Sequence, residues 1–276
     1  MKLRQVKPIL ICVDLQLGFL DEDSWGGNRN NKDAEIICAK IISTWRAHNE
    51  KIIHIRHSSK DKKSKLHPDT EGFKFNPLCA PINGETVLTK SVNSCFIGTE
   101  LKKILDAMNC STVVIIGLTT DHCISTTTRM AGNYGYNTYL ISDATATFNK
   151  VGQNGEIFDS ELMHNTALAS LNDEFAKVIT SKNLLQIYLN YLIGRLDMSV
   201  FFRPKGSNNV FHFFEDNEAK NEIKTISYQL DADGKILGKW EKNGTIKQLM
   251  GAINSVGEGR SQIISETEWN DIALIK

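Results

Sequence analysis

Short apolar runs recur along the first two-thirds of the chain, and each gives way to polar residues. Such runs are typical of strands that are buried on both faces of a parallel sheet. They lie at residues 8–13, 51–55, 86–88, 112–116, 138–141 and 175–179. Helix-like stretches fall among them at residues 33–49, 99–108, 124–133, 160–171 and 183–196. This alternation predicts an α/β domain over residues 1–196, a three-layer α-β-α fold with a mostly parallel sheet.

The pattern changes after this region. Short strand-like runs at residues 201–202, 210–214 and 225–230 precede a hairpin turn at 231–234 and a further strand at 236–240. Helical patterns follow at residues 246–255 and 266–275. We therefore predict a separate small α+β module over residues 197–276, without a role that the sequence reveals.

The composition argues against nucleic-acid binding, membrane association and a structural zinc site. Lys plus Arg equals Asp plus Glu at 32 each, so no overall positive charge is available to attract nucleic acid or an anionic membrane. No apolar run approaches the length of a membrane span, and the first residues do not resemble a signal peptide. We expect a cytoplasmic protein with a small-molecule substrate. Its six cysteines show no CxxC pairs, which indicates reduced thiols and no structural zinc site.

Three strand ends carry residues that could do chemistry. Asp14 follows the first apolar run, Lys90 follows the third, and Cys123 begins the helix after the fourth. Each has an ordinary explanation when taken alone: a strand-end cap, a solvated charge and a packed thiol. Because the carboxyl ends of parallel strands meet in one crevice, we expect the three side chains to converge.

The expected chemistry is nucleophilic catalysis. The positive end of a helix and a nearby lysine lower the pKa of a cysteine, so the sequence predicts a depressed pKa for Cys123. Asp14 could take the thiol proton and later pass it to a leaving group. The glycine and two threonines at residues 117–120 predict a tight turn that aims backbone N–H groups at an oxyanion.

These segments resemble the isochorismatase-like cysteine hydrolases, a superfamily that includes nicotinamidases and N-carbamoylsarcosine amidohydrolases. The matching stretches are residues 11–19, 90–101, 117–131 and 142–147, within a similarity that spans about residues 7–185. The resemblance implies Asp14 as general acid/base, Lys90 as its electrostatic partner and Cys123 as nucleophile. It also implies a cis peptide at Leu118–Thr119 and an oxyanion hole formed by the Thr119 and Cys123 N–H groups.

Further residues are candidates for binding. Phe19 matches a position whose ring packs on substrate in the family, although a core phenylalanine explains it equally well. His57, at a strand end, is a candidate to line the pocket, while His122 either touches substrate or packs at the helix start. Arg129 is expected to pair with a carboxylate, and His164 to be a structural or interface residue.

The sequence argues against a bound metal or another cofactor. Metal-bearing nicotinamidases carry an Asp-x-His motif after the second strand, and residues 54–61 lack that spacing. His54 is expected to pack within the sheet, and His67 to be solvated in a basic loop.

Retention of a cysteine at the nucleophile position favours hydrolysis of an amide, ureide or similar C–N bond through a Cys123 thioester. One alternative is an isochorismatase-type vinyl-ether hydrolase, which needs no thiol, and another is a binding or assembly platform on the same scaffold. By the family's habit, we expect a homo-oligomer.

Overall fold

A computed structural model describes residues 7–195, 200–204, 206, 208–215, 223–231, 236–244 and 261–264. The chain forms two compact units, Met1–Tyr188 and Leu189–Lys276. In the described part of the chain, no helix has the length and apolar character needed to cross a membrane.

Strands and helices alternate through the first unit as the apolar pattern predicts. In chain order the elements are β1 (Ile9–Val13), α1 (Ala34–Ala47), β2 (Ile52–His57), β3 (Thr86–Lys90), α2 (Leu101–Ala107), β4 (Thr112–Leu118), α3 (Ser125–Asn133), β5 (Asn137–Ala146), β6 (Lys150–Val151), β7 (Ile157–Phe158), α4 (Ser160–Leu171), β8 (Lys177–Ile179) and α5 (Ser181–Arg195). The short antiparallel hairpin of β6 and β7 is an addition to the prediction.

Six of these strands form one parallel sheet in the order β3-β2-β1-β4-β5-β8. The chain moves outward from β1 to β2 and β3, and then returns to place β4 on the other side of β1. Such a reversal of strand order opens a crevice at the carboxyl ends of the strands. The predicted three-layer α/β fold is confirmed, and the crevice lies between β1 and β4.

Helices cover both faces of the sheet. Alternate residues of β1, β2 and β4 share one apolar core with buried residues of α2, α3 and α4. On the opposite face, Cys38 of α1 donates its thiol hydrogen to the Ala144 carbonyl, and Trp45 of α1 stacks on Tyr188 of α5 at 4.3 Å. Both faces of the central strands are therefore buried, as their near-continuous apolar sequences predict.

The second unit contains an antiparallel sheet in the order β12-β11-β10-β9-β13. Its strands are β9 (Val200–Pro204), β10 (Asn209–Glu215), β11 (Ile223–Leu230), β12 (Ile236–Gly244) and β13 (Ser261–Ile264). The last of these was not predicted, because four residues in a glycine- and serine-rich stretch give too short a pattern. The helices predicted at residues 246–255 and 266–275 and most of the predicted turn at 231–234 lie outside the described residues.

Gly117 lets β4 approach β1 closely. Its φ is +123°, and a Cβ atom there would lie 1.9 Å from the Val13 carbonyl oxygen. Gly135 also has a positive φ, +81°, but a Cβ atom at that position would meet no heavy atom within 4 Å.

We predict that Gly117→Ala lowers the free energy of unfolding by roughly 3 kcal/mol or more, because strain in φ adds to a clash with a core strand. Gly135→Ala is the matched control and should cost only about 1–2 kcal/mol, the price of the backbone conformation alone. Urea unfolding of the two variants measures the difference. Equal losses would show that the close approach of β4 to β1 is not required.

Candidate active site

Four polar side chains lie in the crevice, at or just after the carboxyl ends of four adjacent strands. Lys90 is the last residue of β3, His57 is the last residue of β2, Asp14 follows β1, and Cys123 lies five residues after β4. His57 and Lys90 are paired in register, and neighbouring parallel strands are about 4.8 Å apart. The structure therefore brings together the three predicted catalytic residues Asp14, Lys90 and Cys123, and His57, which was predicted to line the pocket, lies beside them.

The Lys90 ammonium group is the centre of the site. Its Nζ lies 2.7 Å from Asp14 Oδ2, 3.2 Å from Cys123 Sγ and 3.2 Å from His57 Nδ1. An ammonium group has three N–H donors, so these three acceptors satisfy it. The side chains of Lys90 and Asp14 are completely enclosed.

Charge interactions keep Lys90 positively charged in spite of its burial. Burial alone would lower the pKa of Lys90, but the opposing effects, of which the negative charge of Asp14 is the largest, outweigh it and raise that pKa. Burial raises the pKa of Asp14, and the nearby Lys90 offsets only part of that effect. Asp14 Oδ1 is buried with no hydrogen-bond partner among the described residues, which leaves it open to accept a proton.

Cys123 lies in a π-helical turn, Thr120–Ile124, and α3 begins just after it. The peptide bond between Leu118 and Thr119 is cis, as the family resemblance implies. The Thr119 carbonyl then accepts the N–H groups of His122 and Ile124, at 3.1 and 3.2 Å. This turn carries the thiol towards Lys90 and Asp14.

His164 contacts the π-helical turn through the Thr120 hydroxyl. It is buried in α4, and its Nδ1 lies 2.9 Å from the hydroxyl of Thr120, which is also buried. Its Nε2 lies 3.4 Å from the side-chain amide of Asn31. A structural or interface role is the prediction for His164, but the place of this residue in the middle of a helix does not reveal its contact with the turn that holds Cys123.

The predicted depression of the Cys123 pKa is wrong. Burial raises the pKa of this thiol, and the negative charge of Asp14 raises it further. Lys90 acts in the opposite direction but does not outweigh them. The thiol therefore keeps its proton in the resting site. The remaining five cysteines are also free thiols, as predicted.

His57 is held at the end of β2 by Gln16. The Gln16 side chain accepts the His57 N–H at 2.7 Å and donates to the His57 carbonyl at 3.0 Å. Burial lowers the pKa of His57, and the neighbouring Lys90 lowers it further. A neutral imidazole is what the contact requires, since Nδ1 must accept a hydrogen from Lys90.

Potential metal ligands also meet here. The ligand atoms of Asp14, His57 and Cys123 lie within 4.8 Å of one another. The Lys90 ammonium group contacts all three residues, so a lysine cation already stands among the ligand atoms that a metal would need. This arrangement suits the Lys90 ammonium group better than it suits a metal ion.

The remaining predicted binding residues are not hydrogen-bonded to the thiol in the described part of the chain. Phe19 is buried and stacks on Trp25 at 4.6 Å, in a cluster that includes Leu118 and Phe148. Of the two explanations offered for Phe19, this packing supports a core residue. The side chain of His122 is 56% exposed and lies 3.6 Å from the Asp121 carboxylate.

Two lesser predictions need correction. Arg129 contacts the Ser170 hydroxyl at 3.1 Å and lies over the Phe175 ring, and it pairs with no carboxylate among the residues that the structure describes. The side chain of His67 is only 15% exposed rather than solvated, and its Nδ1 accepts the Asp69 N–H. The expectation for His54 is confirmed, since it is fully buried and lies 2.9 Å from Glu85.

One residue close to the thiol was missed. The Asn93 side-chain oxygen lies 3.8 Å from Cys123 Sγ, although Asn93 itself is exposed. Its place three residues after Lys90, in the same segment that resembles the family, is the signal that could have identified it.

A doubly wound parallel sheet with a buried Lys–Asp–Cys cluster at its switch point is an arrangement suited to an α/β enzyme that uses nucleophilic catalysis. The model of the isochorismatase domain matches residues 8–183, and the chain belongs to the isochorismatase family of hydrolases.

Individual relatives agree with this assignment. The isochorismatase family protein YrdC of Bacillus subtilis is 46% identical over 183 residues, which cover 66% of this chain and 97% of YrdC. A crystal structure of a protein from Chromobacterium violaceum, assigned to the isochorismatase family, is 36% identical with a TM-score of 0.65. The match covers 69% of this chain and 97% of the Chromobacterium violaceum chain. Maleamate amidohydrolase of Pseudomonas putida is 27% identical over 120 residues, or 44% of this chain and 51% of that enzyme.

We predict that the free energy of unfolding falls as the pH falls from about 7 to 5. Burial lowers the pKa values of His54, His57 and His164 below the ordinary value of about 6.5, so the unfolded chain binds more protons than the folded chain in this range. Their contribution is complete above the ordinary pKa and is lost as the pH falls through the lowered values. Urea unfolding at several pH values measures the slope.

His164→Gln should make this slope shallower, because it removes one buried titrating group. His122→Gln is the control, since the side chain that it replaces is more than half exposed. A stability that is constant across this range, or that rises on acidification, would contradict the assignment of neutral buried histidines.

Proposed function

We propose that the protein is an amidohydrolase that cleaves an amide, ureide or similar C–N bond of a small molecule through a Cys123 thioester. One observation carries the proposal: a thiol lies 3.2 Å from a buried lysine whose closest partner is a carboxylate at 2.7 Å. A nucleophile, a base and a charge that stabilises both are the parts that covalent acyl transfer needs.

The first half of the proposed reaction forms the thioester. Cys123 Sγ attacks the carbonyl carbon while its proton moves to Asp14, so a C–S bond forms as the carbonyl oxygen gains negative charge. The Thr119 and Cys123 N–H groups are the proposed donors to that oxyanion. The intermediate then collapses, the C–N bond breaks, and Asp14 returns the proton to the departing nitrogen.

The second half restores the enzyme. Water attacks the thioester carbonyl and gives one proton to Asp14, the C–S bond breaks, and the proton passes from Asp14 to the sulfur. The products are a carboxylic acid, or a carbamic acid from a ureide, and an amine or ammonia. Lys90 remains protonated throughout, because its raised pKa keeps its positive charge beside two groups that alternate in charge.

The competing functions explain the site less well. Vinyl-ether hydrolysis needs no thiol, whereas this fold places a thiol against a base at the point where the strand order reverses. A binding platform has no need for a fully buried ion pair, which costs free energy of desolvation. Similarity to maleamate amidohydrolase gives further support to C–N chemistry. Cytoplasmic location and a homo-oligomeric state stay predictions.

We predict that Cys123→Ala lowers the rate of ammonia release from a cleavable amide or ureide at least about a thousandfold. Without the thiol nucleophile, the base and the lysine have no covalent step to assist. The measurement is a screen of small amides and ureides with the wild type, followed by kinetics of the variant on each substrate that is hydrolysed.

Cys110→Ala is the matched control. Its thiol contacts the Thr112 carbonyl rather than the site, and the variant should keep full activity. A Cys123→Ala variant that hydrolyses amides at the wild-type rate would refute the thioester mechanism.

A further inference from the structure

Asn93 stands on the solvent side of the nucleophile. Cys123 contacts the enclosed Lys90 at 3.2 Å, whereas its contact with Asn93 Oδ1, at 3.8 Å, is with an exposed residue. The buried charge pair thus occupies the inner side of the sulfur. Of these two contacts of the sulfur, Asn93 is the one that solvent reaches.

Asn93 is exposed, but its neighbours hold it in place. The next three residues, Ser94, Cys95 and Phe96, are buried. The Cys95 N–H donates to the hydroxyl of Thr127, at 3.1 Å. Thr127 lies on α3, the helix that begins just after Cys123. The position of Asn93 relative to the thiol is therefore fixed by a buried hydrogen bond rather than by its own packing.

The amide of Asn93 has hydrogen-bonding capacity that the thiol does not use. A thiol is a weak donor, and 3.8 Å is a long contact, while an amide oxygen has two lone pairs. Asp14 and Lys90 direct their charges at each other, at 2.7 Å. Among the described residues that contact the sulfur, Asn93 is the exposed one, and its side-chain oxygen is a neutral acceptor with a lone pair to spare.

We propose that Asn93 is a specificity-determining residue whose side-chain oxygen accepts an N–H group of the substrate. The substrate class that it selects is a carboxamide or ureide with a hydrogen on the nitrogen beside the scissile carbonyl, in preference to a ketone or ester of the same shape. This inference rests on the proposed function, since it places the substrate carbonyl at Cys123.

Two alkylating probes of matched shape test the proposal without a known substrate. Chloroacetamide and chloroacetone present the same CH2–Cl carbon beside a carbonyl, but only chloroacetamide has N–H groups. In both reactions the sulfur forms a bond to carbon, chloride leaves, and Asp14 takes the thiol proton. The rate of Cys123 modification by each probe is measured by peptide mass spectrometry and divided by the rate with glutathione, which corrects for intrinsic reactivity.

The wild type should prefer chloroacetamide by about 3- to 10-fold, the range that one net hydrogen bond supplies. Asn93→Leu should bring this ratio to about one, while Asn93→Asp should retain the preference because it keeps an acceptor oxygen. Ser91→Leu is the control, since Ser91 is exposed in the same segment and the variant should keep the wild-type ratio.

A wild-type ratio near one, or an unchanged ratio in Asn93→Leu, would overturn the role of Asn93 and leave the thioester mechanism standing. Failure of the proposed function gives a different result: neither probe would modify Cys123 faster than Cys38, which is fully buried in α1. That result would overturn both proposals.

Discussion

The ion pair between Lys90 and Asp14 is the interaction on which the rest of the site depends. Both side chains are fully buried, and removing two charges from water costs several kcal/mol for each before their attraction offsets it. The fold offsets this cost by surrounding the ammonium group with three hydrogen-bond acceptors. These acceptors come from β1, from β2 and from the turn after β4. Replacing any one of them would leave a donor of a buried charge unsatisfied, so the four strand ends form a single unit.

The same pair determines how the thiol behaves. Burial and the Asp14 carboxylate raise the pKa of Cys123, so its resting form is the thiol rather than the thiolate. In the proposed mechanism the proton leaves when a bond to the substrate carbon forms, and Asp14 receives it. Lys90 stays positively charged before and after this transfer, so it stabilises whichever of the two groups carries the negative charge. The proposed activation of the thiol therefore occurs only when a substrate is bound, and Asn93 is the exposed group beside the sulfur.

Much of this arrangement could be predicted from the sequence. Apolar runs gave the central strands, and the rule that strand ends meet in a crevice brought Asp14, Lys90 and Cys123 together. The family resemblance supplied the cis peptide between Leu118 and Thr119 and the expected roles. The strands and the convergence of the three side chains are confirmed because they depend on backbone topology, which periodicity records. The cis peptide is confirmed as the resemblance implies, and the roles of the three residues stay predictions.

The remaining features depend on side-chain direction and on the balance of opposing terms. The sign of the Cys123 pKa shift required the burial of the thiol and the position of Asp14, which no local motif reveals. Arg129 pairs with Ser170 and Phe175 because α3 places it beside them, and nothing in its neighbours along the chain indicates this. Likewise, the contacts of His164 with Thr120 and of Asn93 with Cys123 join residues that are far apart in sequence.

The most direct test of a Cys123 thioester is to look for the covalent intermediate itself. A hydrolysed amide is mixed with the enzyme, the reaction is quenched in acid during turnover, and the peptides are analysed by mass spectrometry. The peptide containing Cys123 should gain the mass of the acyl group and lose it as the acid product appears. Sustained turnover in which this peptide stays unmodified at every time point would contradict the thioester mechanism.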